Sequence, residues 1–184
     1  FLIRYLLWLK DLIFHFDLGN SYANGLPVTV QLVTSIGLTL KLAAISIVIA
    51  MLIGIPMGIV AAVRQYSIFD NVVMFLGMIG MSMPIFWLGL MLVNLFSVQL
   101  GWLPTQGRGD LAISVWDFVS HMILPCACLS TIPMATFARI TRSSMLEVIH
   151  NDSIKALRAR GISERSVIWK HALKNALPPI VTVL

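Results

Sequence analysis

The sequence predicts an all-α integral membrane protein, a polytopic helical bundle. Three observations carry that reading. Of the 184 residues, 58% are hydrophobic and only 11% are charged, whereas soluble domains are about 45–50% apolar and about 25% charged. The mean hydropathy is +0.89. The charges also leave long uncharged runs, unlike the two-faced helices of soluble proteins. A disordered chain, a collagen and an ordinary cytosolic enzyme are excluded. The chain starts at Phe1 and stops inside Pro179-Ile180-Val181-Thr182-Val183-Leu184, so it is expected to be a fragment incomplete at both ends.

The runs set the spans. A bilayer core takes about 20 apolar helical residues. Leu42–Val63, Asn71–Gly107 and Phe118–Ala138 are free of charged side chains, and a fourth run begins at Ala176. Asn71–Gly107 is too long for one crossing, and its tail Gly101-Trp102-Leu103-Pro104-Thr105-Gln106-Gly107 carries turn residues that belong outside the span. Expected spans are 36–63, 72–100 and 119–143, with a further one starting at 178. Gly54-Ile55-Pro56-Met57-Gly58, Gly77, Gly80, Pro84, Pro125 and Pro133 weaken these helices and serve either close packing and kinks or a substrate path. Met51, Met57, Met74, Met78, Met81 and Met83 cluster in the first two spans. A generic lipid-facing or core role is favoured for them over adaptable contact with substrates.

Orientation follows from the basic residues. Residues 139–184 hold Arg139, Arg142, Lys155, Arg158, Arg160, Arg165, Lys170 and Lys174 against Glu147, Asp152 and Glu164, which accounts for the whole net charge of +5. The positive-inside rule places 139–175 in the cytoplasm. Alternation puts Arg64–Asp70 inside, and 101–117 and 1–35 outside. The same charges explain the pI of 9.6 without a nucleic-acid partner. Residues 1–17 mix Phe1, Leu2, Ile3, Leu6, Leu7, Leu9, Leu12, Ile13 and Phe14 with Arg4, Lys10, Asp11 and Asp17, the pattern of an interfacial amphipathic helix.

No catalytic constellation is visible. Cys126 and Cys128 have the wrong spacing for a redox or zinc motif and read as small packing residues. His15, His121, His150 and His171 are scattered, with no metal spacing. No acid lies in the three runs, which weakens an ion-coupled carrier.

The cytoplasmic loop 144–175 is the informative segment. Asn151 or Asp152 can cap a short helix, Arg158 and Arg160 suit its last turn, and Gly161 provides a stop. Ser163 can cap a new helix with Glu164 in its first turn. That helix leads to Pro178-Pro179, read as the start of the next span. Ile154 and Leu157 share one face of the short helix, and Lys155 and Arg158 another. From the pattern alone, such a helix either docks into a partner protein or rests on anionic headgroups.

The run Asp152-Ser153-Ile154-Lys155-Ala156-Leu157-Arg158-Ala159-Arg160-Gly161-Ile162-Ser163-Glu164-Arg165 resembles the EAA-type loop of ABC importer permeases. Met145-Leu146-Glu147-Val148, His171-Ala172-Leu173-Lys174-Asn175-Ala176-Leu177-Pro178-Pro179 and Pro84-Ile85-Phe86-Trp87-Leu88-Gly89 resemble the dipeptide/oligopeptide/nickel subgroup, B-type component. Gly101-Trp102-Leu103-Pro104 and His121-Met122-Ile123-Leu124-Pro125 are similar to its outer loop and following span. Two departures stand out. Lys155 replaces the Glu that names the wider pattern, as is usual in this subgroup, and Leu157 stands where a small Ala is typical.

The resemblance implies a type I importer permease. Residues 1–33 would be extracytoplasmic, and 34–184 would form a truncated transmembrane domain in a bacterial or archaeal inner membrane. It also implies a second permease subunit that is a different paralogue, two ATP-binding subunits that hold ATP and Mg, and an extracytoplasmic substrate-binding protein. The chain itself would bind no cofactor and would not be an enzyme. Residues Asp152, Ser153, Ile154, Lys155, Ala156, Leu157, Arg158, Ala159, Arg160 and Gly161 would couple to the ATPase, with Ile154 and Leu157 as apolar anchors and Lys155, Arg158 and Arg160 as rim contacts. The competing reading is an ATP-independent channel or ion-coupled carrier whose basic loop binds lipid.

Overall fold

A computed structural model describes residues 2–110 and 112–182. Phe1, Val183 and Leu184, which the sequence reading counts in apolar runs, lie outside the described residues, as does Leu111 of the outer loop. Among the described residues the structure is helical, apart from one isolated antiparallel bridge between Asn20 and Pro27. The chain divides into two compact units, 1–43 and 44–184.

In the first unit, α1 (Leu2–His15) is followed by a tight polar connection. At about 1.5 Å per residue its 14 residues fall well short of a bilayer core. The Asp17 carboxylate accepts from the Gly19 amide at 2.8 Å, and the Gln31 side-chain amide donates to Asn24 at 3.0 Å. The Thr29 hydroxyl donates to the Phe16 carbonyl. These local bonds satisfy the backbone just ahead of α2 (Val28–Val63), which begins upstream of the expected span at 36.

The second unit is organised around α5 (Val115–Ile149). Close approach of α2 explains two of its glycines. A Cβ on Gly54 would lie 2.5 Å from the Met134 carbonyl oxygen, and one on Gly58 would lie 2.5 Å from that of Ala138 and 2.7 Å from Thr141 Cβ. Only glycine lets the backbones meet this way, as in other small-residue helix contacts. The motif around Pro56 is therefore a packing site.

Residues 72–100 do not form one straight span. α3 (Ile68–Ser82) ends at Met83, and α4 (Ile85–Val93) continues through a π-helical turn, Asn94–Gln99. The two arms meet with a bend of 102°. The cause is local. Pro84 disfavours helical geometry in the residue before it, and Met83 is extended at φ −77°, ψ 133°. Neither arm alone reaches across about 30 Å of hydrocarbon. Within the π-turn, the buried Ser97 hydroxyl donates to the Pro104 carbonyl at 3.1 Å, and Phe96 packs on Trp102. α5 itself carries Pro125 and Pro133 internally, and the Ser130, Thr131 and Thr136 hydroxyls donate to backbone carbonyls within the helix. Cys126 is buried as a packing residue.

The α2–α5 contact yields a sharp test. Gly58→Val should destabilise the folded chain by about 1–3 kcal/mol. Gly37→Ala, where an added Cβ meets nothing within 4 Å, should be neutral or slightly stabilising. Thermal unfolding of the two purified variants compares them directly.

Candidate functional site

The chain leaves α5 through His150, whose ring nitrogen Nδ1 lies 2.7 Å from the Leu146 carbonyl. It re-enters helix at once as α6 (Asp152–Ala159), the eight-residue helix the sequence predicts. Asn151 stands at its N-cap without a side-chain cap bond. The C-terminus is closed by backbone alone. The Gly161 amide donates to the Arg158 carbonyl at 2.9 Å, and the Ile162 amide donates to the Leu157 carbonyl at 3.4 Å. Gly161 sits at φ +76° with open space around it. This is a Schellman stop, with Leu157 and Ile162 both packed on the same apolar cluster. Glycine is there for its backbone and not for lack of room.

The turn is braced from outside. The Arg158 guanidinium grips Glu164 through two bonds, of 3.0 and 2.7 Å, across Gly161. The fork holds the Glu164 carboxyl below the usual carboxylate range and raises Arg158. The helix beyond begins as α7 (Glu164–Ser166), passes through a π-helical stretch (Val167–Ala172) and becomes α8 (Leu173–Val181). Ser163 precedes it without a side-chain cap bond. Pro178 and Pro179 lie inside α8 and do not start it. The chain is already helical when it reaches them.

The packing of α6 corrects one expectation. Ile154 is 0% exposed. It sits in a cluster with Ile59 and Ala62 of α2, Met145 and Val148 of α5, and Val167, Ile168, Ala172 and Ala176 beyond the turn. Leu157 is half-buried against the same cluster. Neither is an anchor offered to another surface, because the chain's own core uses that face. The outward face carries Asp152, Ser153, Lys155, Ala156, Arg158 and Ala159, with Arg160 and Gly161 at the exposed end. Two of the three cations read as rim contacts are already paired within the loop. Lys155 meets Asp152 at 2.8 Å, and Arg158 holds Glu164. Arg160 makes no ion pair among the described residues.

A second feature was missed in the sequence. Asp70, 1% exposed in the first turn of α3, receives a two-pronged bond from Arg142 of α5, 72 residues away. The Arg142 Nη2 to Oδ2 distance is 2.6 Å. The Tyr66 amide also donates to Oδ2 at 3.0 Å, and Tyr66 takes a positive φ of 62° to do so. The Ser67 hydroxyl caps the Asp70 amide. The available signal was Ser67-x-x-Asp70, a cap pattern that fixes the acid at a helix start. Counting Arg142 only as an inside-facing charge hid its partner.

Cavities lie beside α5. One of about 470 Å³ lies under residues 104–107, between Phe86 and Gly89 of α4 and His121, Leu124 and Cys128 of α5. Two smaller clefts, of about 160 and 140 Å³, lie between α3 and α5, and both include Val73, Gly77 and Ala135.

Asp70→Asn or Arg142→Gln alone should cost about 3–5 kcal/mol, because each strands a buried partner. The double change Asp70→Leu with Arg142→Met should recover most of that loss in thermal unfolding. Glu164→Gln should speed amide exchange of residues 161–163 about twofold, the size of an exposed pair. Because the Glu164 pKa is depressed by folding, that difference should be constant above the ordinary Glu value near about 4.3 and close as pH falls below it.

Comparison with known proteins places these features in context. Residues 54–184 match the family described as binding-protein-dependent transport system inner membrane component. The chain is 42% identical to the dipeptide transport system permease protein DppB of Alkalihalophilus pseudofirmus, covering 99% of this chain and 60% of that protein. It is 40% identical to the oligopeptide transport system permease protein AppB of Bacillus subtilis, over 98% of this chain and 58% of the relative. It is 41% identical to the DppB of Escherichia coli K12, over 94% and 58%. The chain thus spans about three-fifths of the length of these relatives. It belongs to the binding-protein-dependent transport system inner membrane component family.

Proposed function

We propose that the chain is part of the permease subunit of an ATP-binding-cassette importer in a bacterial inner membrane, forming one side of the pathway for peptides. Its partners are a second permease, two ATP-binding subunits that carry ATP and Mg, and an extracytoplasmic binding protein that delivers substrate. The names of the relatives favour peptides over nickel chelates. Residues 144–175 are the cytoplasmic loop, and residues 1–33 lie on the outer side.

One observation carries the coupling role of α6: its apolar side is turned into the protein. A helix that rests on a membrane directs its apolar face at the lipid. Here Ile154 is sealed inside and the free face is polar. That face suits a shaped protein groove, with Ala156 and Ala159 allowing close approach and Arg160 at the edge. The competing lipid-bound carrier loses its main support.

The mechanism follows from rigidity. Nucleotide-driven movement of the ATP-binding subunits pushes on the outer face of α6. The Gly161 stop and the Arg158–Glu164 brace keep α6 fixed to the helix after it. Ile154 transmits the push to α2 and α5, and Arg142 passes it to α3 through Asp70. The span helices then rock together between inward- and outward-facing arrangements. ATP hydrolysis belongs to the partners.

The test is a cysteine cross-link in the full-length permease lacking Cys126 and Cys128. Cys at Ala156 or Ala159 should form a nucleotide-sensitive bond with single cysteines along the ATP-binding subunit's groove, and Cys at Ile154 should not. No cross-link at any groove position, with both proteins in the membrane, would return the loop to a lipid role. Gly161→Asp should abolish uptake while the protein stays in the membrane, since a side chain at φ +76° opens the turn.

A further inference from the structure

We infer that Arg139 and the methionines of α3 form a carboxylate-binding subsite on the permeation pathway, taking the C-terminal end of a short peptide. The inference rests on the importer reading above and adds the place where the substrate is held.

The argument starts from an imbalance. α5 carries Arg139 and Arg142 within one turn, where the uncharged run 118–138 ends. Among the described residues, Asp70 is the one acid that pairs with either of them. Both Asp70 oxygens are taken by Arg142, and one also accepts from Tyr66. At 1% exposure Asp70 has no free side for a second guanidinium. Arg139 is exposed and makes no ion pair or hydrogen bond among the described residues. It directly follows the uncharged run 118–138, and a cation beside so apolar a segment needs water or an anionic partner, which is why such residues mark solute pathways.

The surroundings give the ligand's shape. Arg139 borders the cleft of about 160 Å³, whose far wall is Met74, Met78 and Met81. These recur at four and three residues along α3, so they line one face. Thioether side chains adapt to many partners, and a guanidinium matches a carboxylate with two parallel bonds. An apolar adaptable wall beside one fixed cation suits a terminal residue of varied side chain and constant carboxylate. The volume holds the end of a peptide, being below the range for whole small-molecule sites.

The experiment uses the full-length permease with its partner subunits in proteoliposomes and a dipeptide carrying a diazirine side chain. In the wild type, light should attach the dipeptide to the segment containing Met74, Met78 and Met81. Arg139→Gln should lose that attachment and lower the maximal uptake rate about tenfold, while loaded binding protein still stimulates ATP hydrolysis. Arg139→Lys should retain more uptake than Arg139→Gln. Unchanged uptake in Arg139→Gln, or attachment elsewhere in the wild type, would overturn the subsite. So would a defect seen with phosphatidylglycerol present and absent in pure phosphatidylcholine, which would assign Arg139 to a lipid phosphate. If Arg139→Gln does not assemble, the wild-type attachment decides alone. If the wild-type complex moves no peptide in either vesicle, the importer reading itself fails.

Discussion

The Asp70–Arg142 fork is the interaction on which the contact between α3 and the end of α5 depends. A carboxylate with 1% exposure cannot remain charged without a partner, because desolvation costs several kcal/mol per ion. Its geometry is therefore specified closely. Arg142 supplies two donors, Tyr66 a third, and Ser67 fixes the start of α3. The fork ties the first turn of α3 to α5 seven residues before α5 ends. The fork adds a directional constraint between α3 and α5 that apolar packing between membrane helices, which lacks a hydrophobic driving force, does not supply.

From that fixed point the loop is built outward by apolar packing. Ile154 seals α6 to α2, α5 and the helix that follows. The Gly161 stop and the Arg158–Glu164 brace set the angle between the two helices. The arrangement separates two tasks that a short amphipathic helix would otherwise combine. The apolar side fixes the helix to its own chain, and the polar side stays exposed, free for the partner proposed above. A free helix of eight residues would be marginal in water, so the core that holds α6 also keeps it folded.

Much of this was legible in the sequence because it rests on local rules. The length of α6, the stop at Gly161 and the apolar helices all follow from runs, caps and glycine. What could not be read depends on which side of a helix meets which neighbour. Ile154 and Leu157 share a face in any helix, but nothing local says whether that face turns in or out. The Asp70–Arg142 pair spans 72 residues, beyond any sequence period. The 102° break at Met83 was foreshadowed by Pro84, yet a proline in a long apolar run also fits a gentle kink. Pro178 and Pro179 misled for the opposite reason, since helix already formed upstream carries the chain through them.

The methionines that wall the clefts beside α5 also set a chemical vulnerability. Met57, Met74, Met78, Met81 and Met134 line two adjoining cavities. Oxidation of a thioether to the sulfoxide converts a flexible apolar side chain into a polar, chiral one. Such a change would make these walls more polar. On the transport function proposed above, oxidants should therefore lower uptake before they unfold the chain, and methionine sulfoxide reductases would restore it.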